Sequence, residues 1–156
     1  MQSNGAVISD CNQYRYKLWR IWDVTIPQLT IILYNPSTAD ATKDDPTLRR
    51  CIQYAKNWGY GGITLLNLFA LRSYDPKEVK THPSPEGPLN LEYIQEALLQ
   101  RHDILCAWGL QGGTIPPYVS KSASKIFILG SNKDGSPKHP LYLPKSLQLV
   151  QVVRTE

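Results

Sequence analysis

The hydrophobic residues of this chain fall into short continuous runs that end at a polar residue or a glycine. Such runs are typical of strands buried on both faces. In residues 14–22, which precede these runs, side chains instead alternate between two faces of a strand. Tyr14, Tyr16, Leu18 and Trp22 lie on one face, and Arg15 and Lys17 lie on the other. Alternation also predicts a strand, and it leaves Arg20 on the apolar face, where a guanidinium needs a partner. The predicted strands are residues 14–22, 30–34, 62–66, 103–108, 125–129 and 147–153.

Between the predicted strands, the apolar residues recur at the spacing of a helix. Asp45 can cap a helix, Pro46 suits its first position and Gly59 ends it. The apolar residues between them recur at helical spacing, at Leu48, Cys51, Ile52, Ala55 and Trp58. Two further helices are predicted over residues 88–101 and 118–123. Buried strands separated by helices predict an α/β fold with a mostly parallel central sheet, in which ligands bind at the carboxyl ends of the strands.

The composition narrows the class of protein. A chain of 156 residues with 42% hydrophobic and 19% charged residues predicts one globular domain over residues 1–156. Its longest mostly apolar run, residues 63–71, is far shorter than the roughly 20 residues of a membrane span. Because residues 1–13 show no secretory signal, a cytoplasmic location is expected. The unpaired spacing of Cys11, Cys51 and Cys106 indicates reduced thiols, with no disulfide framework, metal site or cofactor.

The net charge of +4 is concentrated in the last quarter of the chain. Residues 121–156 hold Asp134 and Glu156 as their acids, against a larger set of basic residues. That set is Lys121, Lys125, Lys133, Lys138, Lys145 and Arg154. A basic region suits a phosphate-bearing partner such as a nucleotide or a nucleic acid, although solubility alone also explains such a surface.

Polar side chains follow every predicted buried strand. In a parallel sheet these residues meet at one edge, where they form a candidate substrate site. Asn35 precedes Pro36 in a stiff turn, so its amide could read a nucleobase or position a water. The alternative is that Asn35 only ties down its own turn. The predicted substrate-binding residues are Tyr34, Pro36, Ser37, Thr38, Asn67, Arg72, Trp108, Gly109 and Tyr142.

Charged residues near the first helix and in the last loop complete the candidate site. One of Asp40, Asp44 and Asp45 could activate water or stabilise a cation, while the others cap the helix or its turn. Arg49 and Arg50 lie in the first helical turn, which disfavours cations, so acidic or phosphate partners are expected, and Lys138 is a third phosphate-binding candidate. His139 lies in a proline-bracketed loop and is a candidate general acid, with an exposed loop histidine as the alternative.

Four sequence blocks carry a resemblance to a known family. They are NPSTAD, DDPT with RRC, NLFA with R and DP, and HPLYLP, and they occur in this order within residues 14–144. The chain resembles the bacterial and phage family catalogued as domain of unknown function 1643. It departs from the family pattern at Tyr34, where a Met- or Leu-type residue is expected. This resemblance implies no particular reaction.

A more distant resemblance is to the uracil-DNA glycosylase superfamily. Its matching pieces are a strand ending in a Pro-containing loop at 31–36, Asn67 with Arg72, a strand closed by Gly109, and His139 with Pro140. It departs from that superfamily in lacking a clear catalytic aspartate after the first strand and a serine after His139-Pro140. The resemblance implies a three-layer α/β/α fold.

Three functions remain open at this stage. In the enzymatic hypothesis a nucleobase enters the site and its N-glycosidic bond is cleaved, with Asn35, one aspartate and His139 as catalytic residues. Asn67 would then read the base edge, and Tyr34, Trp108 or Tyr142 would stack on it. The second hypothesis is a non-catalytic module that binds nucleotides or nucleic acid. The third is an inert interaction domain.

Overall fold

The computed structural model describes residues 3–122, 124–141 and 143–152. These residues form seven strands and four α-helices. In chain order the elements are β1 Ser3–Ile8, β2 Arg15–Ile21, β3 Leu29–Leu33, α1 Pro46–Asn57, β4 Gly62–Asn67, α2 Pro76–Thr81, α3 Asn90–Leu99, β5 Asp103–Cys106, α4 Pro117–Ser120, β6 Ile126–Ile128 and β7 Val150–Gln151. None of the helices in these ranges is long and apolar enough to cross a membrane.

The seven strands form one mixed sheet in the order β1-β2-β4-β3-β5-β6-β7. The inner strands β4, β3, β5 and β6 run parallel, whereas β1, β2 and β7 pair antiparallel at the edges. The prediction of a mostly parallel sheet is therefore wrong. Only residues 9–14 separate β1 from β2, and a connection that short can form a hairpin but not a parallel crossover.

The hydrophobic core consists mainly of two clusters on the two faces of the sheet. Successive residues of β3 lie in different clusters, because successive side chains of a strand point to opposite faces of the sheet. Leu29, Ile31 and Leu33 pack with Leu48, Cys51 and Ala55 of α1. Ile32 packs in the other cluster, with Ile94 of α3 and Val79 of α2. The sheet core thus fixes where β3, β4 and β5 end, and these ends position the candidate site.

One predicted helix differs in detail from the one observed, and one observed helix was not predicted. α3 lies within the range predicted over 88–101, and two of its leucines, Leu91 and Leu99, are 55% and 79% exposed. The side chains of α3 that are buried are Asn90 and Ile94. The short α2 had no counterpart among the predicted helices, and it begins at Pro76 with Asp75 as its cap.

The partner that Arg20 requires is Asp44, in the loop between β3 and α1. Nη2 of Arg20 lies 2.9 Å from Oδ1 of Asp44, and Nε donates to the same oxygen over 3.1 Å. Nη2 also donates to the carbonyl oxygen of Asp40 at 2.6 Å. The Arg20 side chain is 6% exposed. Its buried charge is therefore compensated by a loop 20 to 24 residues away.

We expect Asp44→Ala to lower the free energy of unfolding by about 1–3 kcal/mol. The substitution leaves the buried Arg20 cation with backbone carbonyl oxygens in place of a carboxylate. Urea unfolding measures this difference. The matched control is Glu92→Ala, which removes an exposed carboxylate and should change stability by no more than about 0.5 kcal/mol. Equal effects of the two substitutions would show that the Arg20–Asp44 pair contributes nothing.

Candidate functional site

A cavity of about 310 Å³ lies at the carboxyl ends of β3 and β5. We call it the rim cavity. Eight of the predicted site residues line this cavity, although they come from segments that are far apart in the sequence. The eight residues are Tyr34, Asn35, Pro36, Ser37, Asp45, Trp108, Gly109 and His139. Residues that were not predicted, Arg15, Thr47, Pro76 and Gln111 among them, also line it.

Asn35 ties two loops together. Its Nδ2 donates to the carbonyl oxygens of Pro36 at 3.2 Å, Leu71 at 3.2 Å and Ser73 at 3.0 Å. The loop after β3 is thereby fixed to the loop after β4. Because its amide hydrogens are committed to the backbone, Asn35 acts as a structural tie here rather than as a donor to a base or a water.

Asp45 caps α1 and also lines the rim cavity. Its Oδ1 accepts from the backbone N–H of Leu48 at 2.8 Å, as an N-cap does, and its Oδ2 accepts from the N–H of Ala39 at 3.3 Å. The residue is 8% exposed. It is the one acid among the described residues that line the cavity.

The other two candidate aspartates do not line this cavity. Oδ1 of Asp40 accepts from the N–H groups of Thr42 at 3.0 Å and Lys43 at 2.7 Å, and these bonds lower the pKa of its carboxyl group. Asp44 is paired with Arg20. Both carboxylates shape the loop before α1, and of the three candidate aspartates Asp45 is the one that lines the rim cavity.

Arg15 is the functional candidate that the sequence analysis missed. It is 2% exposed and lines the rim cavity. Nη1 donates to the carbonyl oxygen of Ala39 at 3.1 Å, Nη2 lies 3.5 Å from Oδ1 of Asn67, and Nε has no partner. Among the described residues, no carboxylate oxygen lies within 4.0 Å of this guanidinium. Burial lowers the pKa of Arg15 to about 10, so the group stays charged at neutral pH.

The backbone of one residue, Ala39, connects Arg15 to Asp45. The carbonyl oxygen of Ala39 accepts from Arg15, and the N–H of Ala39 donates to Asp45. The carboxylate of Asp45 raises the pKa of Arg15, partly offsetting the effect of burial, although the two side chains do not touch. The cavity wall therefore carries one positive and one negative charge, and the backbone of Ala39 lies between them.

A register shift explains why alternation placed Arg15 on the wrong face. β1 and β2 pair Val7 with Lys17 but Ile8 with Arg15, so Tyr16 is an additional residue on β2. A bulge of this kind changes which face the next side chain occupies. Tyr16 stacks on Tyr93 of α3 at a centroid distance of 5.3 Å, while Arg15 turns towards Ala39, in the same cluster as Leu18. No feature of the β2 sequence alone signals this bulge.

His139 is held by the loop that follows β6. Its Nδ1 accepts from the N–H of Leu141 at 3.2 Å, which leaves the proton of the neutral ring on Nε2. Burial lowers the pKa of the imidazole. Gly109, with φ of 80°, donates its N–H to the carbonyl oxygen of Pro137 at 2.9 Å and so holds this loop against β5. At neutral pH, His139 is a neutral hydrogen-bond donor beside the cavity.

The aromatic residues form walls whose positions are fixed. Nε1 of Trp108 donates to the carbonyl oxygen of Gly113 at 2.7 Å, and the ring packs against Gly112, where a side chain would collide with it. Tyr34 packs edge-on against Phe69 at 5.3 Å. Tyr142, the third predicted stacking residue, lies outside the described residues.

The remaining candidates contact other parts of the protein. Arg49 and Arg50 donate to the carbonyl oxygens of Asp44 at 3.4 Å and Leu143 at 3.1 Å, and neither lines the rim cavity. Arg72 donates to Oδ1 of Asn12 at 2.6 Å and lines a separate hollow with Thr38. Lys138 and Asn67 do not line the rim cavity, and Asn67 instead contacts Arg15.

A family model described as "Protein of unknown function (DUF1643)" matches residues 15–141. The chain belongs to this family. The match begins at Arg15 and ends just after His139, so it includes every rim-cavity residue described above. No curated protein and no solved structure matches the chain.

In this DUF1643 chain the rim cavity offers a limited set of chemical groups. The carboxylate of Asp45 and the amide of Asn35 are engaged by the backbone, whereas Nε of Arg15 has no partner and Nε2 of His139 carries a proton. Among the described residues, no group of three or more His, Cys, Asp or Glu side chains could hold a metal ion. These groups suit the binding of an anion or of a ligand rich in oxygen atoms.

We expect His139→Asn to remove part of the pH dependence of stability. A histidine whose pKa is lowered by folding adds stability above its ordinary pKa of 6.5, and that stability is lost as the pH falls through the folded pKa. The unfolding free energy should therefore fall less in the variant than in the wild type between about pH 7.5 and pH 5. Urea unfolding at both pH values tests this, and parallel losses in the two proteins would refute it.

Proposed function

We propose that the rim cavity binds a nucleotide, free or as a unit of a nucleic acid, with its phosphate against Arg15. The single observation that carries this proposal is the buried guanidinium of Arg15, which lines the cavity. Within the part of the chain that the structure describes, its Nε has no partner and no carboxylate oxygen lies within 4.0 Å. Removing such a cation from water costs several kcal/mol unless an anion compensates it. A guanidinium group can donate two parallel hydrogen bonds to two oxygens of one phosphate group, so phosphate is a suitable anion.

The other groups around the cavity support a nucleotide over inorganic phosphate. Tyr34 and Trp108 supply aromatic walls, and His139 supplies a neutral donor for a sugar or base oxygen. The volume of about 310 Å³ is at the lower end of the range for small-molecule sites. The excess of basic residues after position 120 suits a phosphate-bearing ligand as well.

The distant sequence resemblance to uracil-DNA glycosylases supports the same proposal. We infer a three-layer arrangement, supported by the packing of α1 in one core cluster and of α2, α3 and α4 residues in the other. The parallel block β4-β3-β5-β6 ends at the side of the sheet where the rim cavity lies. We also propose a cytoplasmic location, which the three free cysteines support.

Cleavage of the N-glycosidic bond is the second candidate function. It is favoured by one observation, that Asp45 and His139 line the same cavity. Water would add to the anomeric carbon as the carbon–nitrogen bond breaks, and the base would leave with a proton from that water. Asp45 would stabilise the cationic sugar in the transition state, and the N–H of His139 would donate to the departing base.

We expect Arg15→Gln to abolish nucleotide binding while the matched Arg49→Gln variant retains it. Both substitutions remove one positive charge, but Arg49 is exposed and lies outside the cavity. A nucleotide at 100 times its Kd should stabilise the wild type and Arg49→Gln by about 2.7 kcal/mol and leave Arg15→Gln unchanged. Thermal unfolding with a panel of mononucleotides and short oligonucleotides measures the shift, and circular dichroism checks the fold. Absence of any shift in the wild type would favour an inert interaction domain.

For the cleavage hypothesis, we expect Asp45→Asn to reduce base release by about a hundredfold or more. Asparagine is as good an N-cap as aspartate, but its NH₂ cannot accept from the N–H of Ala39, so the free energy of unfolding should fall by about 1–3 kcal/mol. Base release is therefore compared at a temperature where both proteins are folded. Chromatography of released base from oligonucleotides and nucleotides measures the rate. Unchanged release by this variant would assign Asp45 to capping alone.

A further inference from the structure

A second and larger cavity of about 550 Å³ adjoins the rim cavity. The two share Tyr34 and Gln111 in their walls. We call the second one the Phe69 groove, after the second residue beyond the end of β4. Its apolar and aromatic lining comes from Phe69, Leu91, Ile94, Pro116 and Tyr118. A flat aromatic ring is the kind of group that such a lining accommodates.

Asn90 is the buried polar side chain in this lining, and it has one uncommitted atom. It is 2% exposed, and its Nδ2 donates to the carbonyl oxygens of Asn67 at 2.9 Å and Leu68 at 3.2 Å. These two bonds fix the orientation of the amide, because the opposite orientation would place oxygen against oxygen. Oδ1 of Asn90 has no partner among the described residues. It is therefore an acceptor without a donor at the wall of the groove.

A chain of buried contacts links Asn90 to Arg15. Asn90 donates to the backbone oxygen of Asn67, and the side-chain oxygen of Asn67 accepts from Arg15. The unpartnered Nε of Arg15 and the unpartnered Oδ1 of Asn90 thus belong to one rigid network, at the walls of two adjoining cavities. One ligand with an anion at one end and an N–H donor at the other would satisfy both atoms.

We propose that the Phe69 groove holds the base of the nucleotide, that Asn90 accepts from the exocyclic amino group at C6 of a purine or C4 of a pyrimidine, and that adenine or cytosine is therefore preferred. This inference rests on the proposed function of the rim cavity, which would hold the sugar and phosphate. Hypoxanthine and uracil carry a carbonyl oxygen at the same position, and that oxygen would face Oδ1 of Asn90. The NH₂ of Asn90 is already bound to the backbone, so the amide cannot turn to donate to that oxygen.

The first test compares ligands on the intact protein, by calorimetry with AMP against IMP and CMP against UMP. The members of each pair differ at the position of the amino group. We expect the better-binding amino nucleotide to bind at least about tenfold more tightly than its oxo counterpart, because the oxo form places a carbonyl oxygen against Oδ1 of Asn90. Equal binding within both pairs, or tighter binding of the oxo member, would overturn the proposal.

The second test separates the base from the phosphate. Tyr118→Ala should weaken binding of the preferred nucleotide by about tenfold or more and leave ribose 5-phosphate unaffected, because it removes an aromatic wall of the groove alone. The matched control is Tyr74→Ala, which removes a ring that is 81% exposed and outside the groove. If the two variants bind the nucleotide equally well, the base does not occupy the groove.

Ribose 5-phosphate also distinguishes the two proposals from each other. If it binds the wild type and fails to bind Arg15→Gln, while the four nucleotides bind alike, the rim-cavity function holds and the base assignment fails. If neither ribose 5-phosphate nor any nucleotide binds the folded protein, the proposed function fails and the base assignment fails with it.

Discussion

Two buried guanidinium groups of β2 hold the loop that connects β3 to α1. Arg20 binds Asp44 and the carbonyl oxygen of Asp40, and Arg15 binds the carbonyl oxygen of Ala39. Asp45 holds the same residue from its other side by accepting from the N–H of Ala39. This loop carries the residues that follow β3, so the shape of the candidate site depends on charges that are buried in the fold. A loop with backbone contacts alone would have no comparable anchor to the sheet.

The antiparallel direction of β2 is what allows Arg15 to reach the site. β2 pairs with β4 through Leu18 with Leu65 and Arg20 with Ile63, so the start of β2 lies beside the end of β4. In a parallel strand at this position, the first residue would lie at the opposite edge of the sheet. The mixed character of the sheet is thus part of the site, since it adds a cation to an edge that the parallel strands supply with loops and helix caps.

The local patterns predicted the parts of this arrangement that depend on near neighbours. The spacing of Leu48, Cys51 and Ala55 behind Asp45 predicted α1 and its cap, and three buried runs predicted β3, β4 and β5. Arg15 could not be predicted, because its face is set by a register shift against β1, a contact between strands. The carbonyl oxygen that Arg50 binds could not be predicted for a similar reason, since it lies 93 residues away. Contacts of this kind leave no periodic signal in the sequence.

Selectivity at such a site comes from the few atoms that the fold leaves uncommitted. Asn35, Asp45, Trp108 and the NH₂ of Asn90 are fixed by bonds to the backbone, so they give shape and rigidity. Nε of Arg15 and Oδ1 of Asn90 have no partner in the described residues, and Nε2 of His139 bears a proton. A ligand that fits must therefore bring acceptors for Arg15 and His139 and a donor for Asn90. A ligand with donors and acceptors exchanged would leave buried groups unpaired at both ends. The pattern of unpaired donors and acceptors therefore restricts the choice of ligand more than the shape of the cavities does.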